Sequence, residues 1–185
     1  VLSRAFDATV FSGVAPGADF DVLTGAAATP IGGTDAGATY RGLVAADAAV
    51  AAGGGLLNGW AIAPQGRSLL LGALDLGGRP FFVNDVQADG AVPALLGQRT
   101  YQTTAVYAGG TPATIGFGGD WTQANYGVVE NIQVDISGEA TIDDGGTALH
   151  LWQRNMFAVK VEFEVGFRVR SLAAFRRLTD AAAAV

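Results

Sequence analysis

Asn155-Met156-Phe157-Ala158-Val159-Lys160-Val161-Glu162-Phe163-Glu164-Val165-Gly166-Phe167-Arg168-Val169-Arg170 is the stretch whose reading decides the fold class. Val159, Val161, Phe163, Val165, Phe167 and Val169 take every second position. Lys160, Glu162, Glu164, Arg168 and Arg170 fill the positions between them, with Gly166 in their midst. A strand sends successive side chains to opposite faces, so this period of two predicts one long strand with an apolar side and a charged side. At ~3.3 Å per residue it extends on the order of 40 Å, longer than the strands of ordinary compact domains. Such a strand is expected to lie along an elongated body.

Working backwards, Ile132, Val134 and Ile136 alternate with Gln133 and Asp135. Residues 126–136 therefore read as a second strand with one buried face. Gly145-Gly146 marks a loop between the two. The first two thirds of the chain carry helical spacing instead. Leu2, Ala5, Phe6 and Thr9-Val10 read as the last turns of a helix whose start is missing, stopped by Ser12-Gly13. Residues 13–38 are a connecting segment with at most short strands. Residues 39–52 form a helix that Thr39 caps, with Leu43, Val44, Asp47 and Val50 at helical spacing and three glycines to end it. Trp60-Ala61-Ile62-Ala63 is a short strand. A helix follows from Pro64, a favoured first position, through Leu69, Leu70 and Leu74. Asp75-Leu76-Gly77-Gly78-Arg79-Pro80 turns into Phe81-Phe82-Val83, residues 84–118 are turn-rich, and the tail 181–185 is featureless.

Composition narrows the function classes. The chain has 185 residues, 50% hydrophobic and 15% charged, with 27 Gly, no Cys and a single Lys. Its mean hydropathy is +0.32. That length holds one domain or two small lobes, and so apolar a chain can offset its ordering entropy. Residues 43–57 are the most apolar run, yet Asp47 and Gly53-Gly54-Gly55 interrupt it, so no membrane span is expected. No leader segment is visible at Val1-Leu2-Ser3-Arg4. The lack of cysteine excludes disulfide scaffolds, zinc-cysteine sites and thiol catalysis. A net charge of −6 argues against a dedicated nucleic-acid binder, whose affinity comes from basic groups on phosphates.

Candidate chemistry is sparse. His150 is the sole histidine and no Gly-x-Ser-x-Gly elbow accompanies it, so it reads as a loop or surface residue. Asp143-Asp144-Gly145-Gly146 and Asp19-Phe20-Asp21 lack the alternating oxygen ligands and terminal Glu of a calcium loop. Gly53-Gly54-Gly55 and Gly116-Phe117-Gly118-Gly119 lack the spacing of a phosphate cradle and read as turns. No cofactor, metal or catalytic residue is expected. Six of the eleven basic residues fall between Arg154 and Arg177. The face of Lys160, Glu162, Glu164, Arg168 and Arg170 is therefore either a solvated strand face with weak ion pairs or an edge that meets another subunit.

The order of several segments resembles a known family. These are Ile115-Gly116-Phe117-Gly118-Gly119-Asp120-Trp121-Thr122-Gln123-Ala124-Asn125-Tyr126-Gly127-Val128, Asn155-Met156-Phe157-Ala158-Val159, Glu164-Val165-Gly166-Phe167-Arg168-Val169 and Ala173-Ala174-Phe175. Together with Asn58-Gly59-Trp60-Ala61-Ile62-Ala63-Pro64 and the turn 75–80, they resemble the major capsid protein of tailed bacteriophages of the Hong Kong ninety-seven type. The resemblance spans nearly the whole chain, is strongest over 115–178, and corresponds to the C-terminal two thirds of such a subunit.

That resemblance implies an α+β fold with an axial lobe of helices on a sheet and a peripheral lobe of long antiparallel strands. Residues 1–37 would be the end of the spine helix and a connector in the peripheral lobe, 38–118 the axial lobe, 119–180 the peripheral strands and 181–185 a tail. The chain would then be a fragment of a longer subunit. The implied role is structural and non-enzymatic, a shell of pentamers and hexamers of the same protein around phage or prophage DNA. Scaffold, protease and portal proteins are further implied partners, the virion capsid is the implied location, and assembly is implied in the bacterial host cytoplasm. Asn155 and Glu162 match the Asn and Glu with which some members form an isopeptide cross-link, but the Lys of that cross-link lies on a loop outside this chain. An encapsulin-like compartment shell is one alternative. A small β-rich carbohydrate-binding or hydrolase domain, with Trp60, Trp121 and Trp152 as a sugar platform, is another.

Overall fold

The computed structural model describes residues 2–33, 37–75, 77–79 and 94–180. They form two compact units, one of residues 1–125 with 167–185 and one of residues 126–166.

The first unit is built on a five-stranded sheet. Its strands are β1 (Ala28–Pro30), β2 (Gly59–Ile62), β3 (Arg99–Gln102), β4 (Thr114–Gly119) and a C-terminal strand, β9 (Phe175–Thr179), in the order β1-β9-β4-β2-β3. β4 is antiparallel to both β2 and β9, while β1 runs parallel to β9 and β3 parallel to β2. Every residue of β2 and β4 is buried.

Alternation along β2, together with a register shift between Thr114 and Gly116 of β4, sends side chains into two separate cores. Ala61 and Phe117 join Val10, Leu23, Val106, Phe167 and Phe175 on one side. Helix α1 (Leu2–Ser12) closes that side, and its Phe6 and Phe11 lie edge-on or tilted against Phe20, Phe167, Phe117 and Trp121. Trp60, Ile62 and Ile115 join Ile31, Leu43, Ala46, Leu70 and Leu178 on the other. That side is covered by α2 (Ala38–Ala52) and α3 (Pro64–Leu71).

The helices follow the sequence closely, with two corrections. Thr39 does not cap α2. Gly37, in the left-handed region, stands at the N-cap with no side-chain bond, and Thr39 is buried one residue inside the helix. α3 stops at Gly72, so Leu74 lies beyond it. The turn expected after α3 is present. Asp75 Oδ1 accepts from the amides of Gly77 and Arg79, the local pairing by which Asp initiates turns. Phe81-Phe82-Val83 and the tail 181–185 lie outside the described residues.

A larger correction concerns Gly116-Phe117-Gly118-Gly119, which is no turn but the last four residues of β4. A Cβ at Gly118 would overlap the indole of Trp60, and one at Gly119 would overlap Phe175. The glycines are there so that large neighbours can lie across the strand. β3 and β9 also fall in segments that carry no clear period.

The second unit contains most of β5 (Ala124–Ser137) and β8 (Ala158–Val169), which pair with each other, and a hairpin of β6 (Thr141–Asp144) and β7 (Thr147–His150). The hairpin turns through Gly145 and Gly146, both at positive φ, as a tight two-residue turn demands. Asp143 accepts from the Gly146 amide, and exposed His150 faces Thr141 Oγ1 at 3.0 Å. The expected buried face of β5 is absent. Ile132, Val134 and Ile136 are all more than half exposed. An alternating ribbon buries a face only where another layer covers it.

The C-terminal strand belongs to the first unit. β9 returns to pair with β4, so residues 175–179 share a sheet with residues 59–62, and α1 packs onto that sheet.

Candidate assembly surface

Where the chain leaves β4 for β5, Asp120 gathers the surrounding backbone. It is 7% exposed. Its carboxylate accepts from Leu56 N at 3.2 Å, Asn58 Nδ2 at 3.1 Å, Thr122 N at 3.1 Å, Thr122 Oγ1 at 2.6 Å and Gln123 Nε2 at 3.2 Å. Asn58 Oδ1 in turn accepts from Trp121 N at 3.0 Å. The Thr122 hydroxyl leads these bonds in favouring the ionised form. Against the opposing effect of burial they hold the carboxyl at about 2.

Asp21 performs a similar task at the end of β8. Its Oδ2 accepts from Val169 N at 2.8 Å, and its own amide donates to Phe167 O at 2.8 Å. Its Oδ1 faces Arg168 Nη1 at 3.5 Å, and that Nη1 also donates to Ala18 O at 3.0 Å. The acids of the Asp19-Phe20-Asp21 segment thus serve backbone pairing through Asp21.

The β5–β8 ribbon has two chemically distinct sides. Arg170 N donates to Gln123 O at the start of β5, while Asp135 near its far end acts electrostatically on Lys160 near the start of β8. The Arg170–Gln123 hydrogen bond joins the end of β8 to the start of β5, so the pair is antiparallel. That pairing sets odd-numbered residues of β5 opposite even-numbered residues of β8, which puts Asp135 on the side of Lys160 and Glu162. Alternation then assigns Ile132, Val134 and Ile136 to the side of Val159 and Val161. Lys160 pairs with Glu162, and that hydrogen bond, with the two nearby carboxylates, raises its pKa.

The structure does not bring all the expected interface residues together. Lys160, Glu162 and Glu164 lie in the second unit, exposed. Arg168 and Arg170 lie in the first, where Arg168 is engaged with Asp21 and Ala18. Asn155 precedes β8 and ends a one-turn helix (Trp152–Arg154) in the left-handed region at φ 52°. The three tryptophans make no platform: Trp60 is fully buried with its Nε1 bonded to Leu95 O, and Trp121 Nε1 bonds Gly59 O. Sequence reasoning missed Asp120 as a structural centre, although the short Asp-x-Thr-Gln segment is an Asx-turn signal.

No family model matches the chain. In sequence it is 33% identical over 119 residues to the "Probable major capsid protein gp17" of Mycobacterium phage D29, over 60% of this chain and 37% of that protein. It is equally 33% identical over 119 residues to the protein of the same name from Mycobacterium phage L5, over 60% of this chain and 36% of that one. The chain thus spans little more than a third of the length of these relatives. In structure it is similar to a chain of Gordonia phage Cozz, with a TM-score of 0.75 and 23% identity over 98% of this chain and 60% of that one. It is also similar to a chain titled "Capsid of empty GTA particle computed with C5 symmetry", with a TM-score of 0.66 and 18% identity over 98% of this chain and 63% of that one. The resemblance read from the sequence holds, and the fold is the capsid fold of the Hong Kong ninety-seven type.

Proposed function

We infer that this chain is part of a structural major capsid protein, one that self-assembles into an icosahedral shell around phage or prophage DNA. The observation that carries this reading is the capsid fold over 98% of the chain, joined to the 119-residue likeness to proteins named for that role. The mechanism is association of one surface with copies of itself, in which a closed shell multiplies contacts of modest strength. The five-stranded unit is the axial lobe, and the β5–β8 ribbon with its hairpin is the peripheral lobe. The acidic balance suits a container wall that encloses DNA without reading it.

Lys160, Glu162 and Glu164 are the residues of the charged strand face that remain available to set register against a neighbour. Asn155 and Glu162 are assigned structural roles. Asn readily adopts the left-handed conformation seen at 155, and Glu162 engages Lys160. Scaffold, protease and portal proteins are the further partners, with assembly in the host cytoplasm and the virion as destination. Neither an encapsulin-like shell nor a sugar-binding domain is favoured by the relatives or by the buried Trp60.

Mass spectrometry of particles purified from the phage or induced prophage tests this reading. Peptides of this chain should dominate the particle protein. Their absence from DNA-filled heads would contradict it.

A further inference from the structure

Asn58-Gly59 is the sole Asn-Gly pair of the sequence. In an unfolded chain such a pair is chemically labile, because no side chain on the glycine hinders its amide nitrogen from reaching the asparagine side chain. The nitrogen attacks Cγ, a five-membered succinimide forms, and the Gly59 amide proton departs with the leaving ammonia. Addition of one water then opens the ring to aspartate or isoaspartate.

The fold needs both residues for other reasons. A Cβ at Gly59 would lie 3.0 Å from the indole of Trp121. Asn58 ties the corner together from both ends of its amide: Nδ2 donates to Asp120 Oδ1 at 3.1 Å, and Oδ1 accepts from Trp121 N at 3.0 Å. The residue is exposed, so water reaches it. Ring closure would have to turn the amide off both partners. It would also have to take Gly59 out of a register that sets Gly119 on one side and Arg99 on the other.

We propose that Asn58 is a deamidation site that folding closes, with the Asp120 carboxylate and the Trp121 amide as its lock. While the corner is formed the site is silent. A chain that stays open is marked irreversibly. An aspartate at 58 sets a second carboxylate where Asp120 now accepts a hydrogen bond, and like charges that close oppose refolding. An isoaspartate adds a methylene to the main chain at the entrance of β2 and disturbs its register.

The test follows the tryptic peptide of residues 42–67, whose only asparagine is Asn58, by mass spectrometry of the whole gene product held at mildly alkaline pH. In urea the amide should convert to acid at least ~10-fold faster than in the folded protein, since a locked site reacts only through opening. Asp120→Ala frees Nδ2 and should speed conversion in the folded protein. Gly118→Ala weakens the same sheet without touching either bond of Asn58 and should speed it less. Circular dichroism checks that both variants are folded, and the comparison of folded with unfolded parent stands whether or not they are. Equal rates in folded and unfolded protein would overturn the proposal. Equal acceleration by two folded variants would also overturn it, by assigning the protection to sheet stability alone. Asn58→Asp, the product itself, should unfold at a lower urea midpoint than the parent, and an unchanged midpoint would refute the marking.

Discussion

At Asp120 five donors converge on one nearly buried carboxylate, and the consequence is measurable. Its folded pKa of about 2 lies below the ordinary 3.8. A depressed folded pKa contributes stability that is fully present above about pH 4 and is lost as pH falls toward 2. The shift corresponds to on the order of 2 kcal/mol. Asp120→Asn keeps the shape but puts an NH₂ where a carboxylate oxygen now accepts. It should lower the unfolding free energy at neutral pH by about 1–3 kcal/mol. Urea titrations between pH 2 and 7 should also show a flatter acid limb for the variant than for the parent chain. An unchanged limb would assign the acid sensitivity to other groups. Gly118 offers a second test at this scale. With Trp60 lying over it, Gly118→Ala should cost about 1–3 kcal/mol by overpacking, read as a fall in the thermal midpoint.

Elements differ in how plainly the chain announces them. β8 was legible because six apolar residues alternate without interruption, and α2 because its buried positions recur at helical spacing. β4 was illegible for the opposite reason. Its glycines carry the signature of a turn, and only the large side chains of β2 and β9 reveal why a buried strand needs them. β9 lies in an Arg-Arg segment whose partner strands are about 60 and 150 residues away in sequence, so no local pattern marks it. The β6–β7 hairpin shows in the sequence only as a loop at Gly145-Gly146, although the glycine pair is the turn signal itself. Gly146→Val forces a branched residue to φ 89° and should cost ~1–2 kcal/mol locally. Amide exchange should quicken across residues 141–150 and stay unchanged in β2 and β4. Equal quickening in the central sheet would mean that the hairpin does not open separately.

For the whole molecule, physical reading of the residues supplied a helical first part and a strand-rich last part. The ordered segments from Asn58 to Phe175 supplied the family resemblance, and the fold bears it out. The grouping of residues 1–125 with 167–185 was not legible, because it depends on the long-range return of β9 and on the packing of α1. The residues proposed for assembly were legible only as a pattern. Alternation identified two sides of β8, and an uncovered apolar side becomes visible only when the layers are known. Among the described residues, the chain's high apolar content fills the paired cores of the sheet unit and lines one side of the ribbon. The central claim is that the protein builds a shell, and negative-stain electron microscopy of the gene product expressed alone tests it most directly. Closed shells or five- and six-fold capsomer rings are the predicted result, and a monodisperse monomer at high concentration would contradict it.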